Sequence, residues 1–212
     1  SDLVMDDEYY TIAREASIET RVKGSRFIGE SFLATSLDQA LEKLESVRRR
    51  EHAATHHCYA YLVGLDGETV FKYSDDGEPN GTAGKPIYDV VCGAGITNVL
   101  VVVTRYFGGT KLGTGGLVRA YSDAARLALE GSGKKRHFIT ASFRVELEFP
   151  LYDRWLKIIN RLDAKALNSD FSDIVRMDID IRRSRASELQ SAFVELTAGK
   201  GKIEATEETS QG

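Results

Sequence analysis

"NVLVVVTRYFGGTKLGTGGLVRAY", residues 98–121, decides how this chain folds. Its first part is a β-branched run without polar alternation, the pattern of a central strand buried on both faces. Five glycines then fall within residues 108–116. Glycine is entropically costly to order, so a folded chain concentrates it where φ must be positive or a backbone must come close to something. The apolar spacing over residues 117–129 predicts a helix beyond the glycines. A glycine-rich turn between a buried strand and a helix start directs free N–H groups outward at the positive end of the helix dipole.

Working backward, residues 12–22 and 27–34 read as strands joined by the turn "KGSR". Ser36 reads as the N-cap of a helix whose stripe is Leu37, Leu41, Leu44 and Val47. "HHCYAYLVGLDGETVFKYSDDGEP" predicts two strands around Asp66-Gly67. A polar loop, "SDDGEPNGTAGKP", follows, and Pro86 suits the first turn of the helix "PIYDVVCGAGI". Working forward, "GSGKKR" breaks the pattern as a linker, and the rhythm restarts as strand, helix, one or two strands, helix, strand. That order is the ferredoxin-like arrangement, with helices on one face of an antiparallel sheet. The predicted domains are 1–135 and 136–212, with the boundary within residues 131–136. The tail "EATEETSQG" reads as polar and frayed.

Net charge is −4 and the pI is near 5.7, so the whole molecule is not an electrostatic sponge for nucleic acid. The predicted halves do not differ: 17 basic against 19 acidic residues in 1–136, 11 against 13 in 137–212. No apolar run is long enough to cross a bilayer, and the N-terminal residues show no signal-peptide pattern. Two cysteines, Cys58 and Cys92, suit a reducing compartment. The expectation is a cytoplasmic protein with no membrane partner.

Residues 90–122 contain no Asp or Glu, while Arg105, Lys111 and Arg119 are basic. The predicted anion- or RNA-binding set is therefore Arg105, Tyr106, Gly108, Gly109, Lys111, Gly113, Gly115, Gly116 and Arg119. The competing reading is that the glycines only let a helix cross closely over the sheet. The loop residues Asp75, Asp76, Glu78 and Lys85, with His56 and His57, are candidate neighbours of that surface. The three acids could hold a hard cation, or pair with the basic glycine stretch. His52, His56, His57 and Cys58 raise a zinc or general-base reading against a helix cap and core packing. A Walker A loop fails because Pro79 and Pro86 occupy required positions, and GxGxxG fails at Val118. The runs "ESVRRREH" and "GSGKKRH" read as solvated faces or local phosphate contacts. Tyr59, Tyr61, Tyr106 and Phe107 read as base-stacking or core residues. No cofactor, resident metal or catalytic residue is assigned.

The blocks "SRFIGESFLA", "ATHHCYAYLVG", "YSDDGEPNGTAGKPI" and "VVVTRYFGGTKLGTGGLVRAYSDAA" resemble, in the same order, those shared by the IMPACT/YigZ family. The resemblance covers residues 10–130 closely. It implies a first domain with the split β-α-β fold of elongation factor G domain IV and a ferredoxin-like second domain similar to domain V. It also implies association with RNA or the ribosome, and a role in regulating translation. Eukaryotic members act on translation through an N-terminal partner-binding module; the expectation is that no such module precedes residue 10, and that role is not carried over. Two other expectations stand beside this one: an enzyme acting on a phosphorylated or nucleotide ligand, with Lys111 neutralising charge, and a surface that docks a protein partner.

Overall fold

In the computed structural model, which describes residues 7–206, the first half of the chain builds around one inner strand. The elements run β1 (Glu8–Ile12), β2 (Ala16–Val22), β3 (Ser25–Leu33), α1 (Leu37–Arg50), β4 (His56–Val63), β5 (Val70–Ser74), α2 (Gly84–Ala94), β6 (Val99–Tyr106), α3 (Gly113–Ser132) and β7 (Lys134–Phe138). Five strands form a sheet in the order β2-β3-β6-β4-β5, and all its pairings are antiparallel. Because β3 and β4 both run against β6, they are parallel to one another. The unit β3-α1-β4 is thus a split β-α-β with β6 inserted, and β5-α2-β6 repeats the device around β4.

Residues 99–103 of β6 are fully buried, and their two faces serve two cores. Val99, Val101 and Val103 pack with Ile87 and Val91 of α2 and Leu117, Tyr121 and Ala124 of α3. Leu100 and Val102 pack with Leu44 and Val47 of α1 and with Tyr59 and Tyr61. At roughly 1.5–3 kcal/mol for each large aliphatic side chain fully buried, this strand is the main apolar anchor of the sheet. Ser36 caps α1 as expected, its Oγ accepting from Gln39 N at 3.2 Å.

Three local expectations are corrected. Residues 12–22 are not one strand, because the chain leaves β1 at Ile12 and begins β2 at Ala16. α3 starts at Gly113, four residues before the apolar spacing begins, so three of the five glycines lie inside its first turn. "GSGKKR" is not a linker: Gly131 and Ser132 close α3, and Lys134 opens β7, which pairs with β1. That pairing is long-range, so local composition does not report it.

The chain divides into two compact units, one being Tyr9–His137 and the other residues 138–206 with residues 7 and 8. The second unit contains β8 (Thr140–Leu147), α4 (Tyr152–Arg161), β9 (Lys165–Phe171), β10 (Val175–Arg182), α5 (Ala186–Thr197) and β11 (Lys202–Thr206). Its sheet order β11-β8-β10-β9 and βαββαβ sequence are ferredoxin-like. Along β10, Val175, Met177, Ile179 and Ile181 alternate inward onto Trp155 and Phe193, whose rings meet edge to face at 5.0 Å. The outward residues are cross-paired, Arg144 with Asp178 at 2.8 Å and Arg176 with Glu146 at 3.4 Å. The residues after 206 lie outside the described residues, and with them most of the predicted frayed tail.

Candidate nucleic-acid interface

Arg105 follows the parity of Val101 and Val103, which carries its side chain inward. Its Nη1 donates to Glu78 Oε1 at 2.6 Å, and the two side chains are only 5% and 3% exposed. Tyr121 Oη donates to the same oxygen at 2.7 Å, and His56 Nε2 lies 3.7 Å from it. Arg105 Nη2 donates to Ser25 Oγ at 3.2 Å, and that hydroxyl also accepts Gly108 N at 3.2 Å. The guanidinium sits 5.5 Å from the Phe27 ring and 5.4 Å from Phe107. Burial pushes the Tyr121 phenol up, so it stays a donor. Arg105 therefore faces no solvent, and its charge is answered inside the fold by Glu78. A direct phosphate contact by Arg105 is corrected on that ground.

The glycine stretch serves two purposes at once. Gly108 presses on the β2–β3 turn so closely that a Cβ there would lie 2.0 Å from Gly24 C. Gly109 and Gly113 instead have φ of +88° and +75°, with nothing near a hypothetical Cβ. The packing reading thus holds at Gly108, while Gly109, Gly113 and Gly115 lie open. α3 begins there without a side-chain cap and without an acid in its first turn, leaving its first N–H groups unanswered by side chains. Lys111, Arg119 and, across the Gly24–Gly108 contact, Lys23 are exposed. None has a carboxylate partner among the described residues. Gly115 and Gly116 lie in that first turn, Gly115 exposed and Gly116 against Leu112.

The acidic loop is built into the same end of the sheet by bonds of its own. The Asp75 carboxylate accepts from the N–H groups of Gly81, Ala83 and Gly84 at 2.9, 3.1 and 2.8 Å, capping α2 from eight residues away. Asp76 Oδ2 accepts from His57 N at 2.7 Å, and its carbonyl accepts from His56 Nδ1 at 2.8 Å. His57 Nε2 donates to the Glu51 carbonyl at 2.9 Å. Cys58 is buried and donates to the Asp75 carbonyl at 3.1 Å, and burial pushes its thiol up. Asp75, Asp76 and Glu78 are thus committed to three different tasks and do not converge on a common point. Lys85 is exposed and pairs with Asp89 on α2.

The zinc geometry fails for a simple reason. α1 ends at Arg50, so His52 and His56 share no helix face, and His56, His57 and Cys58 alternate along β4. Among the described residues no group of three or more His, Cys, Asp or Glu side chains could hold a metal ion.

Tyr106 points to the opposite face from Arg105. Its Oη donates to Glu51 Oε2 at 2.5 Å, and that bond holds the Glu51 carboxyl below its usual range. Beside it Glu30, almost fully buried, takes both bonds of Arg50 Nη2 at 2.6 and 2.5 Å, and burial pushes its carboxyl up. Arg48 pairs with Glu45, so two arginines of the first basic run have partners. Tyr59 and Tyr61 are core residues, whereas Phe107 is 48% exposed. Sequence reasoning missed Ser25, Glu30 and Tyr121 as partners, and missed the exposed Phe71 and Tyr73. Only the fold shows these, because the partners are far apart in the chain.

The Impact N-terminal domain profile matches residues 23–129, which runs from the β2–β3 turn to all but the last three residues of α3. The chain belongs to the IMPACT family. Two IMPACT relatives illustrate the match. YigZ of Escherichia coli (strain K12) is 32% identical over 197 residues, spanning 92% of this chain and 97% of that protein. YvyE of Bacillus subtilis (strain 168) is 31% identical over 205 residues, spanning 95% and 92%. A crystal structure of a protein described as hypothetical superimposes with a TM-score of 0.68 at 30% identity, covering 96% of this chain and all of that one. In this IMPACT chain the signature Arg105-Tyr106 is structural on both faces of β6, and the open surface lies just after it. Among the described residues no helix is long and apolar enough to cross a membrane.

Proposed function

We propose that this IMPACT protein is a cytoplasmic RNA- or ribosome-binding protein that acts in the regulation of translation. The contact surface is the start of α3, with Lys111, Arg119 and Lys23 around the open backbone of Gly109, Gly113 and Gly115. The observation that carries the reading is the uncapped, acid-free first turn of α3 flanked by exposed cations without carboxylate partners. Such a turn presents N–H donors and positive charge together, the combination a phosphate recognises. Arg105 supports it indirectly, by fixing the Gly108 backbone through Ser25. Membership of the IMPACT family supports the reading, and the local positive surface is compatible with a molecule of net charge −4 because phosphate contacts are local.

The test is a pull-down from cytoplasmic extract, with and without nuclease, using the wild type and Lys111→Ala/Arg119→Ala. Recovery of ribosomes or RNA by the wild type, with loss in the variant, is the expected result. With purified RNA, each removed phosphate contact lowers the slope of log affinity against log salt by about one. Unchanged affinity and slope in the variant would remove this surface.

A further inference from the structure

Of the four aromatic residues that the chain alone offers for stacking, the fold removes three. Tyr59 and Tyr61 are core, and Tyr106 has its hydroxyl on Glu51 and the Arg26 guanidinium over its ring at 5.3 Å. Phe107 remains, exposed and immediately before the glycine stretch. Its backbone is clamped on both sides. Phe107 N donates to Thr55 Oγ1 at 3.0 Å, and the next N–H, that of Gly108, donates to Ser25 Oγ at 3.2 Å. One face of the ring is backed as well: the Arg105 guanidinium lies over it, 5.4 Å from the centroid, and is itself held by Glu78 and Ser25. A single exposed aromatic is ordinary. One whose backbone and inner face are both fixed is pre-organised, so less entropy is lost when a partner covers it. Lys111 lies four residues beyond it, and Lys23 adjoins Gly24, which Gly108 touches. Both lysines are exposed and without a carboxylate partner among the described residues.

We infer that the free face of Phe107 stacks an unpaired base, and that the RNA of the proposed function is therefore gripped at a loop or an end. The inference rests on that reading and adds both the stacking residue and the form of RNA. Every base has a π-face that an aromatic ring accepts without regard to sequence. A duplex conceals those faces, whereas loops and ends splay them out. The Arg105 guanidinium decides against a basic side chain of a protein as the occupant. A ring that already carries a cation on one face has its π density drawn to that side, so its other face is a poor host for a second cation. The flanking lysines decide against an apolar side chain, which would desolvate them and answer neither. A nucleotide brings a base to the ring and a phosphate to the lysines together.

Binding of the full chain to two labelled RNAs tests this: a single strand of about 10 nucleotides and a blunt duplex of about 16 base pairs. The wild type is expected to prefer the single strand. Phe107→Ala is expected to bind it roughly five- to a hundredfold more weakly, with little change toward the duplex and an unchanged melting temperature. Phe107→Leu keeps an apolar side chain without a π-face and is expected to be as weak. Phe107→Trp restores binding, and its indole emission is expected to be quenched by the single strand. Lys111→Ala is expected to weaken both RNAs. Equal binding of the single strand by the wild type and Phe107→Ala would overturn the inference and leave the translation reading standing. Loss of both RNAs in Phe107→Ala together with a fall in its melting temperature would make Phe107 a support for Arg105 and overturn the inference too. Failure of the wild type to bind either RNA would overturn both readings.

Discussion

Replacing Glu78 by alanine isolates the device that holds the loop, the glycine stretch and α3 together. The substitution removes the carboxylate that meets Arg105 at 2.6 Å and Tyr121 at 2.7 Å, in a place where the arginine is only 5% exposed. Deleting one partner of a buried pair strands the other charge, which costs about 3–5 kcal/mol. For a chain of this size that corresponds to a fall in Tm of roughly 6–20 °C. Denaturant titration followed by far-ultraviolet circular dichroism reads the loss. The only tryptophan, Trp155, lies in the second unit, so its fluorescence follows that unit separately and is expected to change less. The pair Glu78→Gln and Arg105→Met closes a double-mutant cycle, and the combined variant is expected to recover part of the loss because neither charge is then left alone. A destabilisation below about 1 kcal/mol for Glu78→Ala, in the range of an exposed pair, would refute the claim that Arg105 is a structural residue.

Three further outcomes follow from the geometry. Gly108→Ala is expected to destabilise the first unit by several kcal/mol, on the order of a severe core clash, since its Cβ would lie 2.0 Å from the Gly24 backbone; Gly115→Ala, with no backbone near its Cβ, is expected to leave the melting curve unchanged or raise it. Asp75→Ala removes the remote cap of α2 and is expected to cost about 1–2 kcal/mol, read by denaturant titration. The buried Glu30 carboxyl titrates above its unfolded value, so the folded state holds its proton longer and stability falls as pH rises from the ordinary carboxylate range through that raised value. Glu30→Gln is expected to flatten that part of the stability–pH curve, and an unaltered slope would show that Glu30 is not responsible.

Much of this was written in the chain order. The short, β-branched apolar run at residues 99–103 determined an inner strand, because β-branched side chains favour the extended backbone and consecutive burial needs cover on both faces of the sheet. Ser36 before a 3.6-spaced stripe determined a capped helix, and the strand–helix rhythm after residue 139 determined the ferredoxin-like order of the second unit. The signature blocks determined the family. Tertiary structure alone decided what the charged and aromatic residues do. Arg105 and Lys111 look alike as neighbouring cations, yet strand parity turns one onto Glu78, 27 positions earlier, and leaves the other in solvent. Asp75, Asp76 and Glu78 read as one acidic cluster, but the turn after β5 aims each at a different partner. Tyr59 and Phe71 are both strand aromatics, and only the order of strands makes one of them core and the other surface. A sequence records the spacing along one chain, whereas burial and charge pairing depend on which distant segments the sheet brings alongside.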